Sequence, residues 1–227
     1  MLFVTVPFKQ VQTNCKKLYC NPAVNDRRVT WHSCLGGIRN EGRTVAEGSA
    51  ELTRFYTMTS AELRKELEEY LKNNNIETVC VDHPEVFTVE EMMPHVQHLS
   101  GAITKNLFLK DKKKKGLWLV TARHDRQVNL NDLAKKLGVG SGNLRFAEEA
   151  AMLEKLRVGQ GCATPLALFC DKQGDVKFVL DSDLVNGGHE RVYFHPMTNS
   201  ATMGLKPEDF LTFLKETGHE PILHNFD

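Results

Sequence analysis

Three short stretches of the 227-residue chain carry the residue types that could do chemistry. In the first, Lys105 and Asn106 stand directly before the apolar run Leu107, Phe108, Leu109. A strand alternates its side chains, so Lys105 faces with Leu107 and Leu109, and Asn106 faces with Phe108. A lysine held at the mouth of a strand by packed neighbours is a preorganised cation, suited to reaction or to orienting a substrate. The same spacing also fits a strand-end lysine that snorkels to water. The second stretch is Gly161, Cys162, Ala163, Thr164, Pro165. Glycine lets a backbone approach a ligand closely and proline fixes the exit, so successive amide N–H groups could be aimed at one carbonyl oxygen. A plain structural turn has the same spacing. Cys162 is a conceivable nucleophile, but nothing beside it in the sequence would lower its thiol pKa. The third stretch is His195-Pro196, followed by the polar residues Thr198, Asn199, Ser200 and Thr202.

The elements that must position these residues follow from local pattern. Thr59 with Glu62 makes a capping box ahead of Leu63, Leu67, Tyr70 and Leu71 at helical spacing, and asparagines at 73–75 end that helix. Residues 77–82 read as a strand, His83-Pro84 as a turn, and 86–93 as a short helix. The central strand pair is 102–110 with 117–121, joined by the lysine run 112–115 as an exposed tip. Asn131 is expected to cap a helix ended by Gly138, and 147–156 reads as another helix. Arg123, His124, Arg126 and Arg145 are candidate phosphate contacts, or else a solvated charged face. Residues 166–170 read as a strand forming an antiparallel hairpin with 176–180. His189, in the loop before residue 191, rivals His195 as a site histidine. A helix opened by Pro207, with Phe210, Leu211 and Leu214 inward, and a strand at 221–224 close the chain. Strands joined by hairpins with helices between them predict an α+β (mixed α/β) domain with a largely antiparallel central sheet and flanking helices.

Composition bounds the function. Basic and acidic residues balance at 29 each, but residues 1–57 carry eight basic and four acidic side chains, leaving 21 against 25 in the remainder. An acidic body argues against broad non-specific binding of nucleic acid, so RNA contact should rest on local patches. Cys80, Cys162 and Cys170 lie in or beside apolar runs and read as buried thiols of a reducing compartment. Cys15, Cys20, His32 and Cys34 match no familiar zinc spacing, so no metal is expected. No apolar run approaches the ~20 residues that a membrane span needs. A Walker loop, a dinucleotide-binding glycine fingerprint, a Gly-x-Ser-x-Gly elbow and a zinc-ligand helix are all missing.

The words Thr-Lys-Asn-Leu-Phe-Leu-Lys-Asp at 104–111, Gly-Cys-Ala-Thr-Pro at 161–165 and Phe-His-Pro-Met-Thr-Asn at 194–199, in this order, resemble the YbaK/prolyl-tRNA synthetase-associated domain family. Asp82, His83 and Pro84 fit the same pattern. The resemblance runs from about Met58 to the C-terminus and implies one YbaK-like aminoacyl-tRNA editing domain over 58–227. It also implies a free-standing enzyme that hydrolyses alanine mischarged on the proline tRNA, with no cofactor. The tRNA acceptor end is the expected partner, with prolyl-tRNA synthetase as a second. The implied roles are electrostatic binding for Lys105, hydrogen bonding for Asn106, and orientation of substrate or water for His195. Gly161, Cys162, Ala163, Thr164 and Pro165 would wall a pocket sized for alanine, and Asn199 would contribute to its polar floor. Residues 1–57 are expected to be a disordered extension, best read as an upstream segment of a gene model. The expected location is cytoplasmic, or mitochondrial if that extension is a transit peptide.

Overall fold

The computed structural model describes residues 58–113 and 116–226. The expectations for residues 1–57, the cysteine and histidine set within them, and the very tip of the lysine run lie outside these residues. Helix α1 (Ser60–Asn73) opens with the expected capping box, in which the Thr59 N–H donates to Glu62 Oε2 at 2.7 Å and the Glu62 N–H to Thr59 Oγ1 at 3.3 Å. Leu63, Leu67 and Leu71 form its buried stripe. Strand β1 (Thr78–Asp82) leads to α2 (Val89–Val96), β2 (Ala102–Asp111) and β3 (Leu117–Arg123). Then come α3 (Leu130–Lys136), capped by Asn129, β4 (Leu144–Phe146) and α4 (Glu149–Leu156). A 3₁₀ helix (Pro165–Cys170), β5 (Val176–Asp181), α5 (Asp183–Asn186), β6 (Val192–Phe194), β7 (Ala201–Leu205), α6 (Pro207–Glu216) and β8 (Ile222–His224) complete the order.

The strands form one eight-stranded sheet in the order β1-β7-β6-β2-β3-β5-β8, with β4 joined to β2. The α+β architecture is as expected, and the sheet is mixed: four pairings are antiparallel and three, β2 with β6, β3 with β5 and β5 with β8, are parallel. The expected hairpin of 166–170 with 176–180 does not form. Residues 165–170 are helical because Pro165 presets the first turn and Thr164 accepts from the Leu166 N–H, while β5 pairs in parallel with β3. Leu166, Ala167, Leu168 and Phe169 are all buried, a run without period that suits either element.

One core cluster gathers residues of α1, α4, the 3₁₀ helix and α6, with Phe210 and Phe213 of α6, around sheet residues that include Phe178 of β5. Burying each such ring stabilises by roughly 1.5–3 kcal/mol. A second cluster joins Leu109, Trp118 and Val179 to α3, and a third joins Val86, Met92 and Val96 to Ile103 and Tyr193. Among the described residues no helix is long and apolar enough to cross a membrane.

Candidate functional site

Strand β2 has β3 along one edge, but its other edge is shared. Ala102 and Ile103 pair with β6, whereas Leu109, Lys110 and Asp111 pair with β4. Among the described residues, 104–108 between them have no strand partner on that side. The ladder fixes which backbone groups are presented there. His124 N–H donates to Ile103 C=O and Asp111 N–H to Gly116 C=O, so odd-numbered residues of β2 bond to β3. Even-numbered residues turn outward: Ala102 N–H reaches the Arg191 carbonyl, and Phe108 C=O accepts from Ala147 N–H. By the same alternation the N–H and C=O of Asn106 are directed into the gap.

The side chains on either side of this backbone point to opposite faces, as the alternation requires. Lys105 is half-buried and its ammonium donates to the Arg126 carbonyl. The loop that offers that carbonyl is tied down by Asp181, a fully buried carboxylate that accepts from the N–H groups of Arg123 and Asp183 and from Arg126 Nε at 3.3 Å. Asn106 Oδ1 accepts from Thr121 Oγ1 at 2.7 Å, which orients the amide and leaves its Nδ2 as a donor. Of the candidate phosphate contacts, Arg123 and Arg126 are committed to carboxylates: Arg123 also pairs with Asp125 at 2.6 Å and Asp183 at 2.8 Å. His189 joins the same network through Asp183 at 3.0 Å and stands apart from the residues lining the gap.

The loop before the 3₁₀ helix closes over the gap. Gly161 adopts φ +84°, and a Cβ there would lie 2.9 Å from Phe87 Cδ1. Gly161 and Ala163 line the cleft. Thr164 and Pro165 turn the other way and are buried, Thr164 as the cap of the 3₁₀ helix, and Cys162 packs against the core. These three support the loop where a pocket wall was expected. Burial pushes the Cys162 thiol above its ordinary range, opposed by a hydrogen bond from the Asn199 backbone, so it is a poor nucleophile at neutral pH. Asn199 is itself buried, and its carbonyl accepts from Val86 N–H at 3.1 Å, fixing the segment that carries Phe87.

His195 follows β6 and lines the same cleft as Lys105. Its Nδ1–H donates to the Ala201 carbonyl at 3.3 Å, which leaves Nε2 as the acceptor of a neutral ring. Burial lowers its proton affinity, with the Ala201 carbonyl opposing and His83 adding to the effect. His83 Nδ1–H donates to the Pro84 carbonyl at 2.8 Å, its Nε2 lies 3.0 Å from Thr202 Oγ1, and its ring stacks on His95 at 5.5 Å. Between His195 and Asn199, Met197 takes φ +63° while buried, a strained turn that sets the spacing of the two.

Two compartments adjoin at Asn106, Gly161 and Ala163. The smaller, about 180 Å³, is lined by Val86, Phe87, Met92, Lys105 and His195 among others. The larger, about 390 Å³, runs past Phe108, Phe146, Glu149 and Gln160. No role for Phe87 or Phe146 was legible in the sequence, since a single aromatic outside a periodic run carries no signal by type. The hydroxyls of the smaller compartment are committed: Thr88 Oγ1 accepts from Glu91 N–H, and Thr104 Oγ1 donates to the Tyr193 carbonyl. The arrangement thus offers positioned donors, one cation and one neutral histidine. That set suits holding a carbonyl group and a water, rather than forming a covalent intermediate.

Residues 83–213 match the aminoacyl-tRNA editing domain. A Bos taurus relative, prolyl-tRNA synthetase associated domain-containing protein 1, is 77% identical over 170 residues, which is 75% of this chain and 99% of that one. The prolyl-tRNA editing protein ProX of Acetoanaerobium sticklandii is 35% identical over 144 residues, 63% of this chain and 85% of that one. The crystal structure of a hypothetical protein, 21% identical, superposes with a TM-score of 0.53 over 68% of this chain and 95% of that one, a likeness of fold. The chain belongs to the YbaK-like family of aminoacyl-tRNA editing domains.

Proposed function

We propose that this chain hydrolyses mischarged aminoacyl-tRNA in trans, with alanine esterified to the proline tRNA as its substrate. The observation that carries the reading is the gap on β2, where Lys105, Asn106, the Gly161 loop and His195 meet at two adjoining compartments. The smaller compartment takes the aminoacyl group, and the larger takes the terminal nucleotide. An ester is already activated, so positioning a water and stabilising the developing oxyanion suffice. Asn106, through its outward N–H and its Nδ2, binds the carbonyl. Lys105 supplies the positive charge, held to the site by the Arg126 carbonyl. His195 Nε2 accepts a hydrogen bond from the attacking water. The proton leaves with the released hydroxyl of the terminal ribose, and amino acid and tRNA are the products. Val86, Met92 and Ala163 make the small apolar wall that suits a methyl side chain. The relative named as a prolyl-tRNA editing protein supports the choice of tRNA.

Deacylation of alanyl-, cysteinyl-, seryl- and prolyl-tRNA for proline by the full chain and by Lys105→Ala tests the proposal. Selective release of alanine, with the variant slowed by about 10²–10³ as for loss of one preorganised donor, is the expected result. Preference for cysteine would keep the reaction and replace the substrate. A folded chain that hydrolyses none of the four would instead point to a tRNA- or synthetase-binding module.

A further inference from the structure

The two most exposed large hydrophobic side chains of the described residues are Phe87 (64%) and Phe146 (63%), and both line the cleft. Exposed rings of this size are not explained by packing, because neither belongs to a core cluster. Their placement is nonetheless fixed. Phe87 follows the buried Val86, whose N–H is held by the Asn199 carbonyl, and its ring fills the space that a Cβ on Gly161 would enter. Phe146 is the last residue of β4, in register with Leu109 of β2. One ring stands at the smaller compartment and one at the larger, on either side of the shared Gly161 and Ala163.

The charge beside Phe146 is equally particular. Arg145 sits directly across from Lys110 in the β2–β4 ladder, two cations face to face where like charges destabilise a strand pair. Lys110 is answered by Glu148 and the Glu149 carboxylate by the Gln160 N–H, so the nearby acids are committed. The exposed Lys112 and Lys113 continue the same edge, Lys112 N–H bonding to the Asn143 carbonyl in the segment before β4. Open π-faces next to a run of cations suit a flexible single strand of nucleotides, whose bases stack and whose phosphates need neutralising.

We propose that Phe87 and Phe146 are stacking platforms for unpaired bases at the 3′ end of the tRNA substrate, with Arg145, Lys112 and Lys113 neutralising its phosphates. This rests on the reading of the substrate as a tRNA. It gives the chain a grip on the acceptor end that is blind to sequence, since every base has a π-face.

The test uses the full chain, alanyl-tRNA for proline, and uncharged tRNA carrying 2-aminopurine as its 3′-terminal base, whose fluorescence is quenched on stacking. Phe87→Ala and Phe146→Ala are each expected to raise KM about tenfold with kcat within about twofold, in the range of one lost base–aromatic stack. Quenching should fall in the alanine variants and persist in Phe87→Tyr and Phe146→Tyr, which keep a ring. Both rings are exposed, so thermal midpoints should stay within about 2 °C. KM and quenching unchanged in both alanine variants would overturn the proposal. So would variants that lose binding to prolyl-tRNA synthetase while deacylating free tRNA normally, which would make the rings a protein contact. If the wild type deacylates nothing but quenches the probe, and the alanine variants do not, the deacylation reading fails and the platforms stand.

Discussion

Replacing Gly161 by alanine tests how the loop is built into the cleft. At φ +84° an L-residue meets a cost of roughly 1–2 kcal/mol that glycine does not. For a chain of this size that lowers the unfolding midpoint by roughly 2–8 °C. The added methyl would also lie 2.9 Å from Phe87 Cδ1 and 3.3 Å from Cε1, inside ordinary contact, while Asn199 Nδ2 at 3.6 Å is undisturbed. Asn199 is buried and holds its place, whereas Phe87 is 64% exposed and swings away. Gly161→Ala should therefore act on substrate binding through the displaced ring, raising KM about tenfold, as loss of the ring itself would. Steady-state deacylation by the two single variants and by Gly161→Ala/Phe87→Ala makes a double-mutant cycle. The double variant should have nearly the KM of Phe87→Ala alone, because the ring is already gone. Fully additive losses would refute the reasoning and show that the methyl group blocks the substrate directly.

The remaining predictions concern the two groups that could be mistaken for a nucleophile and a general acid. Cys162→Ala should deacylate within about threefold of the wild type, and iodoacetamide at neutral pH should leave activity intact, since burial raises the thiol pKa; a collapse of kcat in either experiment would make the thiol catalytic. Burial holds the proton affinity of His195 below the ordinary histidine value of 6.5, so the ring is neutral at pH 7 and kcat/KM should be level from there upward. As pH falls below 6.5 the unfolded chain takes up this proton before the folded one does, so the contribution of His195 to stability falls with pH through that window, and activity follows as the ring charges. A pH series of deacylation and thermal unfolding, compared with His195→Gln, checks both; an acid limb unchanged by the substitution would assign the titration elsewhere.

Much of the local structure was legible because it is local. The Thr59 capping box, the alternation of β2 and the caps by glycine depend on neighbours within four residues, and Lys105 and Asn106 stand on β2 where the pattern put them. The helix expected from Asn131 begins one turn-signal earlier because Asn129 accepts from two N–H groups. The run at 166–170 misled because a wholly buried segment shows no period, and the parallel pairing of β5 depends on a crossover through α3, α4 and the 3₁₀ helix. Thr164 looked like a pocket residue by size, but its hydroxyl was needed for a helix N-terminus. The division of the β2 edge between β6 and β4 was illegible, since it arises from two segments about 35 and 90 positions away competing for one strand.

That division also bears on solubility. An uncovered strand edge is a template on which other chains add and from which aggregates grow. Here the uncovered stretch is closed at both ends, by β6 at Ile103 and by β4 at Leu109, and the two groups of Asn106 are its outward pair. A notch of that length has room for one carbonyl and no room for an invading strand. Among the described residues the fold thus leaves the outward groups of Asn106 without a strand partner at the candidate site, and offers no long seam for self-association.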